Sequence, residues 1–205
     1  MTTETAFVGD IHGNLKALHG LWGAIDDLRV RHTVFLGDYI NKGAYSAAVL
    51  TELTARTTSG QATLLAGNHE HALLHALDSG NLAAFLKIGG AATIRSYVKG
   101  PVGPDVLADF RACLPLPHLE ALRRMPETYE TDEVVASHAP KSRPDGRYGI
   151  SAHSEVGPLP RVGKHSAMID TGCTEKSGRL TALLWPSRQF VQVDHNGVVV
   201  ERERV

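Results

Sequence analysis

The chain is short of most features that single out a specialised protein, and each shortage closes a class. Of 205 residues only two are cysteines, Cys113 and Cys173. Two thiols make no disulfide framework, so a reducing, cytoplasmic setting with ordinary thiols is expected. The formal net charge is −1, which leaves no electrostatic footprint for nucleic acid. No run of like charges points to a membrane surface or a polyanion partner. No apolar stretch approaches the ~20 residues that span a bilayer. The first residues show no basic region followed by an apolar one, so no signal peptide is read. Repeats, low-complexity tracts and linkers are also missing. What remains is an ordinary globular composition, long enough for one domain over 1–205 with a substantial core.

What is present is a set of polar corners, each at the end of an apolar run. Thr5 to Val8 reads as a strand ending at Gly9-Asp10-Ile11-His12-Gly13-Asn14. Thr33 to Leu36 reads as a second, ending at Gly37-Asp38-Tyr39-Ile40-Asn41-Lys42-Gly43. Gln61 to Leu65 reads as a third, ending at Gly67-Asn68-His69-Glu70. Between them, Leu15, Leu18, Leu21, Trp22 and Ile25 recur at helical spacing behind a capping Asn14. Ala44 to Arg56 reads as a second helix, with Ala48, Val49 and Leu53 on its apolar side. The order βαβαβ predicts a parallel sheet with crossover helices, and such sheets place their sites at strand ends.

The middle, from about 71 to 124, has mostly helical pattern broken by glycine and proline. It predicts three or four short helices forming a small cap beside or over the site. The last third is strand-rich: Glu133–Ser137 ending at His138, Tyr148–Ala152 ending at His153, then Ala167–Asp170, Leu180–Trp185, Phe190–Val193 and Val198–Val200. Turns at Gly178, Pro186-Ser187 and Asn196-Gly197 predict antiparallel neighbours. The fold class expected is α/β, a mixed-sheet sandwich flanked by helices.

The residues at strand ends are Asp10, His12, Asp38, Asn68, His138 and His153. All offer oxygen or imidazole nitrogen, and none is a thiolate. Such a set suits Mn²⁺, Fe or Zn²⁺ in an open site better than a closed structural zinc. Two carboxylates, three imidazoles and an amide exceed what one open ion needs. They match two ions sharing a carboxylate, and Asp38 on the central strand is the natural bridge. Two ions roughly 3.5–4 Å apart hold a hydroxide and clamp phosphate oxygens.

Taken together, these corners with His138, His153, Ile169-Asp170-Thr171-Gly172-Cys173 and Gly178-Arg179-Leu180-Thr181 resemble the phosphoprotein phosphatase branch of the calcineurin-like metallophosphoesterases. The resemblance runs from about Phe7 to Leu184. It implies that Asp10 and His12 bind one metal, that Asp38 bridges, and that Asn68, His138 and His153 bind the second. It implies two divalent ions, Mn²⁺ foremost with Fe or Zn²⁺ as alternatives. His69 would protonate the leaving oxygen while a metal-bridging hydroxide attacks phosphorus. The partner implied is a phosphorylated substrate: protein, small molecule or nucleotide. His153 is preferred to His165 because the family's late histidine stands more than ten residues before the Ile-Asp-Thr-Gly strand.

Two departures stand out. Asn41-Lys42 replaces the family's Asp-Arg. Asn41 can orient His69 but cannot stabilise its imidazolium, so the pKa of His69 rises less and general-acid help weakens. That tilts the reading towards phosphoanhydrides and activated esters. Lys42 keeps a positive charge for phosphate but loses the bidentate fork. The segment Ala139–Ala152 is also short, so Arg143, Arg147 or Lys141 would have to supply the second phosphate-binding cation. The leading function is phosphomonoester hydrolysis of serine/threonine-phosphatase type. The alternative is a dinucleoside polyphosphate hydrolase. A third class, a nucleotide- or metal-binding module without turnover, is favoured by Asn41-Lys42 and opposed by the complete ligand set. His71 and His75 read as an exposed helix face. Glu70 reads as support for its neighbours or helix N-terminal charge.

Overall fold

The computed structural model describes residues 4–26, 28, 30–142 and 145–203. The chain opens as β1 (Glu4–Val8), α1 (Leu15–Asp26), β2 (Val30–Phe35), α2 (Ser46–Thr58) and β3 (Ala62–Leu64). β1 pairs with β2, and β2 with β3, both parallel. The expected βαβαβ unit is therefore there. α2 starts at Ser46 and buries Val49, Leu50 and Leu53, with Ala48 half-buried.

Five helices follow: α3 (Asn68–Ser79), α4 (Ala83–Lys87), α5 (Gly90–Tyr97), α6 (Val106–Cys113) and α7 (Leu116–Arg124). They stack beside α2 through α5 and α7. The rest is β4 (Thr128–Glu130), β5 (Val134–Ser137), β6 (Tyr148–Ser151), β7 (Arg161–Val162), β8 (Ser166–Met168), β9 (Arg179–Trp185), β10 (Phe190–Asp194) and β11 (Val199–Glu203).

These strands make two mixed sheets. One has the order β11-β10-β9-β1-β2-β3 and the other β4-β5-β6-β8-β7. The hairpins β9–β10 and β10–β11 are antiparallel as the turns predict. The Gly178 turn is different. It joins β8 in one sheet to β9 in the other, with only a bridge between Thr171 and Arg179 linking the two arms. Local turn chemistry cannot distinguish a hairpin from a step between layers. The short strands β4 and β7 carry too few apolar residues to be read from the sequence.

Alternation along the strands explains the layering. In β1, Phe7 packs between the sheets, while Ala6 and Val8 pack towards the helices. In β2, Val34 joins Phe7, and Phe35 faces the helices. Ala136, Ile150, Ala167 and Leu183 complete the inter-sheet core. Both faces of the first sheet are thus covered, and its strands read as continuous apolar runs. No helix among the described residues is long and apolar enough to cross a membrane.

Candidate metal centre

The polar corners converge at one edge of the sandwich. Asp10 and His12 follow β1, Asp38 follows β2, Asn68 and His69 open α3, His138 follows β5 directly, and His153 follows β6. The corners are tight. His12, Asp38, Asn41, Lys42 and His153 all have left-handed backbone, with φ of 47°, 56°, 71°, 58° and 66°. The only other such non-glycine residue among those described is Arg188. Each costs about 1–3 kcal/mol, and such strain concentrates where side chains must be aimed.

Gly37 and Gly67 let two corners touch. A Cβ on Gly67 would lie 2.2 Å from Asp38 Oδ1, and one on Gly37 would lie 2.7 Å from the Gly67 backbone. Glu70 then ties the corners together. Its buried carboxylate accepts hydrogen bonds from the backbone N–H groups of Asp38 (2.8 Å), Tyr39 (2.9 Å) and Gly67 (3.0 Å). That is the supporting role expected of it.

Two of the imidazoles are held in defined tautomers. His12 Nδ1 donates to the Ile40 carbonyl (3.0 Å), and His138 Nδ1 donates to the Leu36 carbonyl (3.0 Å). A neutral ring with its proton on Nδ1 presents a lone pair at Nε2. His138 Nε2 lies 2.9 Å from Asn68 Oδ1 and 3.0 Å from His153 Nδ1, and that nitrogen lies 3.0 Å from Asn68 Oδ1. His138 Nε2 also lies 3.4 Å from Asp38 Oδ1. His12 Nε2 stands 3.7 Å from Asp10 Oδ2 and 3.8 Å from Asp38 Oδ2. Potential ligand atoms of Asp10, Asp38 and His138, and separately of His12, Asp38 and His69, all lie within 4.8 Å of one another. Asp38 belongs to both groups.

His138 Nε2 and Asn68 Oδ1 set lone pairs 2.9 Å apart, a contact that a cation between them relieves. The donor set therefore fits divalent metal, and the sharing of Asp38 fits two ions. The electrostatics agree. Burial pushes the Asp10 carboxyl well up, with Asp170 and Asp38 adding to it. Burial and Glu70 push Asp38 up to about 8. Burial and the Lys42 ammonium hold His12 down at about 3. Burial and His153 hold His138 down at about 4. A bound cation reverses the penalty on the carboxylates.

His69 is buried beside this cluster, its Nε2 3.6 Å from Asp38 Oδ2. Its pKa is pushed down to about 4 by burial and by Lys42. Asn41 stands behind the ring, with Nδ2 2.8 Å from His69 Nδ1. Lys42 Nζ lies 2.9 Å from His12 Nε2.

The cup lined by Asp10, His12, Asp38, Lys42, Asn68, His69 and His153 measures about 190 Å³. It is also lined by Asp170, Glu155 and Glu175, which the sequence reading did not select as site residues. Asp170 follows an apolar run as Asp10 does, so its signal was available. His165 is not brought to the cup; it lies exposed before β8. Arg147 is not brought there either. Asp145 (2.6 Å) and Glu130 (3.0 Å) hold its guanidinium at the far end of the β5–β6 connection. Lys141 is exposed and does not line the cup, and Arg143 lies outside the described residues. No described residue of 71–124 lines the cup, so this helical segment flanks the site without roofing it. His71 is exposed and pairs with Glu127. A larger cleft of about 560 Å³ between α2, β3 and α7 touches none of these groups.

Several solved structures share this fold. One described as a candidate diadenosine tetraphosphatase is 19% identical, covers 94% of each chain and has a TM-score of 0.66. A cold-active protein-tyrosine phosphatase from a psychrophilic Shewanella is 14% identical over 100% of this chain and 80% of its own, with a TM-score of 0.63. A serine/threonine phosphatase from Saccharomyces cerevisiae is 12% identical over 99% and 80%, with a TM-score of 0.57. At such identities the likeness is one of fold. No curated protein sequence matches significantly. The family model of the calcineurin-like phosphoesterases matches residues 4–159, a span holding the six converging donor residues and His69. On that match and this geometry, the chain belongs to the calcineurin-like phosphoesterase family.

Proposed function

We propose that this protein is a dinuclear metal-dependent phosphatase acting on phosphomonoesters, with Mn²⁺ as the working metal. The observation that carries the proposal is the convergence of oxygen and imidazole donors from the strand-end corners around a shared Asp38. Asp10 and His12 would hold one ion, Asn68, His138 and His153 the other, and Asp38 both. The ions would supply Lewis acidity, activating a water and neutralising phosphate oxygens. The chain's own residues do the rest. His69 faces the departing oxygen with Nε2, and Lys42 holds a phosphate oxygen by charge. Residues 1–205 act as one domain, with 71–124 as its accessory segment. The two cysteines are free, which fits a cytoplasmic setting.

The first test is hydrolysis of p-nitrophenyl phosphate by protein loaded with Mn²⁺. No turnover with any divalent metal sinks the proposal in favour of a binding module. His69→Asn is expected to lose about 10²-fold in kcat, the lower end of the range for a positioned donor, with metal content unchanged by elemental analysis.

A second reading, hydrolysis of dinucleoside polyphosphates, is favoured by a groove of about 300 Å³ that shares Lys42 and Thr174 with the cup. Lys16, the exposed Tyr45 and His195 line it, and no carboxylate does. Cations beside an aromatic face suit a further phosphate and a base. Lys16→Glu and Tyr45→Ala are expected to raise KM for diadenosine tetraphosphate about tenfold, the equivalent of about 1.4 kcal/mol. KM for p-nitrophenyl phosphate should stay put. Equal effects on both substrates remove this reading.

A further inference from the structure

Behind His69 lies a chain of hydroxyl and amide groups with no access to solvent. Asn41, Ser46 and Thr93 are all fully buried. Thr93 comes from α5, in the segment that contributes nothing to the cup. Its Oγ1 accepts the Asn41 backbone N–H (2.8 Å) and donates to Asn41 Oδ1 (2.7 Å). A second hydroxyl one turn on, Ser96 Oγ, accepts from Ala47 N (3.0 Å), so α5 is clasped to the start of α2 at two points.

An amide has two unlike ends, an accepting Oδ1 and a donating Nδ2. Thr93 occupies the oxygen, so Nδ2 is the end that meets His69 Nδ1 at 2.8 Å. A ring nitrogen that accepts a hydrogen bond carries no proton. The neutral ring therefore keeps its hydrogen on Nε2, the nitrogen facing Asp38 and the cup. Reversing the amide would make Thr93 Oγ1 accept from both N–H groups of Asn41. Its own proton would have to go to Ser46 Oγ at 3.1 Å, a longer contact than the 2.7 Å one it gives up.

We propose that Thr93 is a positioning residue for the reaction: its hydroxyl sets the Asn41 amide, and through it the tautomer of His69, so that Nε2–H is presented to the departing oxygen. This rests on the phosphoesterase reading above. A carboxylate at position 41 only accepts, so it would hold a hydrogen on Nδ1. The Thr93–Asn41 pair instead donates to Nδ1, which holds the hydrogen on Nε2. When the P–O bond breaks, its electron pair stays on the leaving oxygen, which departs as the anion. Nitrophenolate or a phosphate can do so; an alkoxide cannot without a proton. A hydrogen bond from Nε2–H supports such a departing anion.

Two measurements test this. Nitrogen-15 NMR of the metal-free protein, with His69 assigned by its loss in His69→Asn, should place the ring proton on Nε2. It should do so in Thr93→Ser too, and show both tautomers in Thr93→Val. A wild-type ring protonated on Nδ1 overturns the proposal, whatever the catalytic result. With Mn²⁺ and p-nitrophenyl phosphate, Thr93→Val should lower kcat about tenfold, the lower part of the range for positioned donors, and leave KM within about twofold. Thr93→Ser should restore it. A carboxylate has no unlike ends to orient, so in an Asn41→Asp background Thr93→Val should cost under about threefold. Equal losses in both backgrounds make Thr93 merely structural. Should the valine variant fail to fold, Thr93→Ala carries the same expectations. Wild-type protein that ignores p-nitrophenyl phosphate refutes the phosphoesterase reading instead, and the NMR result then decides the tautomer alone.

Discussion

At Asp38 three demands meet in one side chain. Its Oδ1 accepts the His69 backbone N–H (3.1 Å), its two oxygens face His138 and His12, and its backbone N–H rests on Glu70. Without metal that carboxyl is pushed up to about 8, from an ordinary 3.8. A raised carboxyl keeps its proton in the fold while the unfolded chain loses it, so its stabilisation is full below 3.8 and lost as pH climbs to about 8. The depressed imidazoles, His12 at about 3 and His138 at about 4, run the other way from an ordinary 6.5. Their stabilisation is present above 6.5 and lost as pH falls. Between pH 6.5 and 8 only the carboxyls act, so the metal-free protein should lose stability as pH rises. Metal binding must release those protons and should strengthen over the same interval. Thermal melts with and without Mn²⁺ should therefore diverge from pH 6.5 to 8; curves that run parallel would mean Asp38 is already ionised in the metal-free fold. The convergence of Asp10, His12, Asp38, Asn68, His69, His138 and His153 was legible in the sequence because each follows a strand. Asp170 offered the same signal, whereas Thr93 offered none, since 52 residues separate it from the amide it holds.

The element that organises the site's outer wall is the start of α1. Asn14 caps the helix, its Oδ1 accepting from Ala17 N (3.1 Å). Its Nδ2 donates to the carbonyls of Cys173 (3.1 Å) and His195 (3.1 Å). One side chain thus joins the β1–α1, β8–β9 and β10–β11 loops. Its capping role follows from local sequence, but its grip on the other loops does not, because they arrive from 159 and 181 residues away. Asn14→Ala should cost about 2–3 kcal/mol, about 1 for the cap and the rest for two carbonyls left without donors. Chemical denaturation should show it, together with faster proteolysis near 173 and 195. A loss confined to about 1 kcal/mol would mean that the loops stand without it. Most helix positions were legible from apolar spacing. Whether α4 to α7 lie beside the site or over it was not, because a helix face shows that it packs and not against what.

For the molecule as a whole, the decisive contact is between the two sheets. Phe7, Val34, Leu36, Ile150 and Ile169 fill that interface, each nearly without solvent contact. The second sheet carries His138 and His153, and the first carries Asp10 and Asp38. The candidate metal centre is therefore assembled only when the sheets are docked. Phe7→Ala should cost about 3–5 kcal/mol from the cavity it leaves. It should also weaken Mn²⁺ binding, because the two halves of the ligand set lose their fixed separation. Metal affinity unchanged in a destabilised but folded Phe7→Ala variant would show that the corners hold their geometry without the interface.

The sequence by itself determined the chemistry and the strand ends that present it. Alternation and spacing are local properties, and a polar residue closing an apolar run is visible without coordinates. It also carried the βαβαβ unit and the final hairpins, where neighbours in space are neighbours in the chain. Only the tertiary structure decided that β8 and β9 belong to different sheets, that Arg147 is held away from the site by Asp145 and Glu130, and that Thr93 backs Asn41. Those facts depend on which distant surfaces dock, and docking is set by the packing of whole layers rather than by any one stretch of residues.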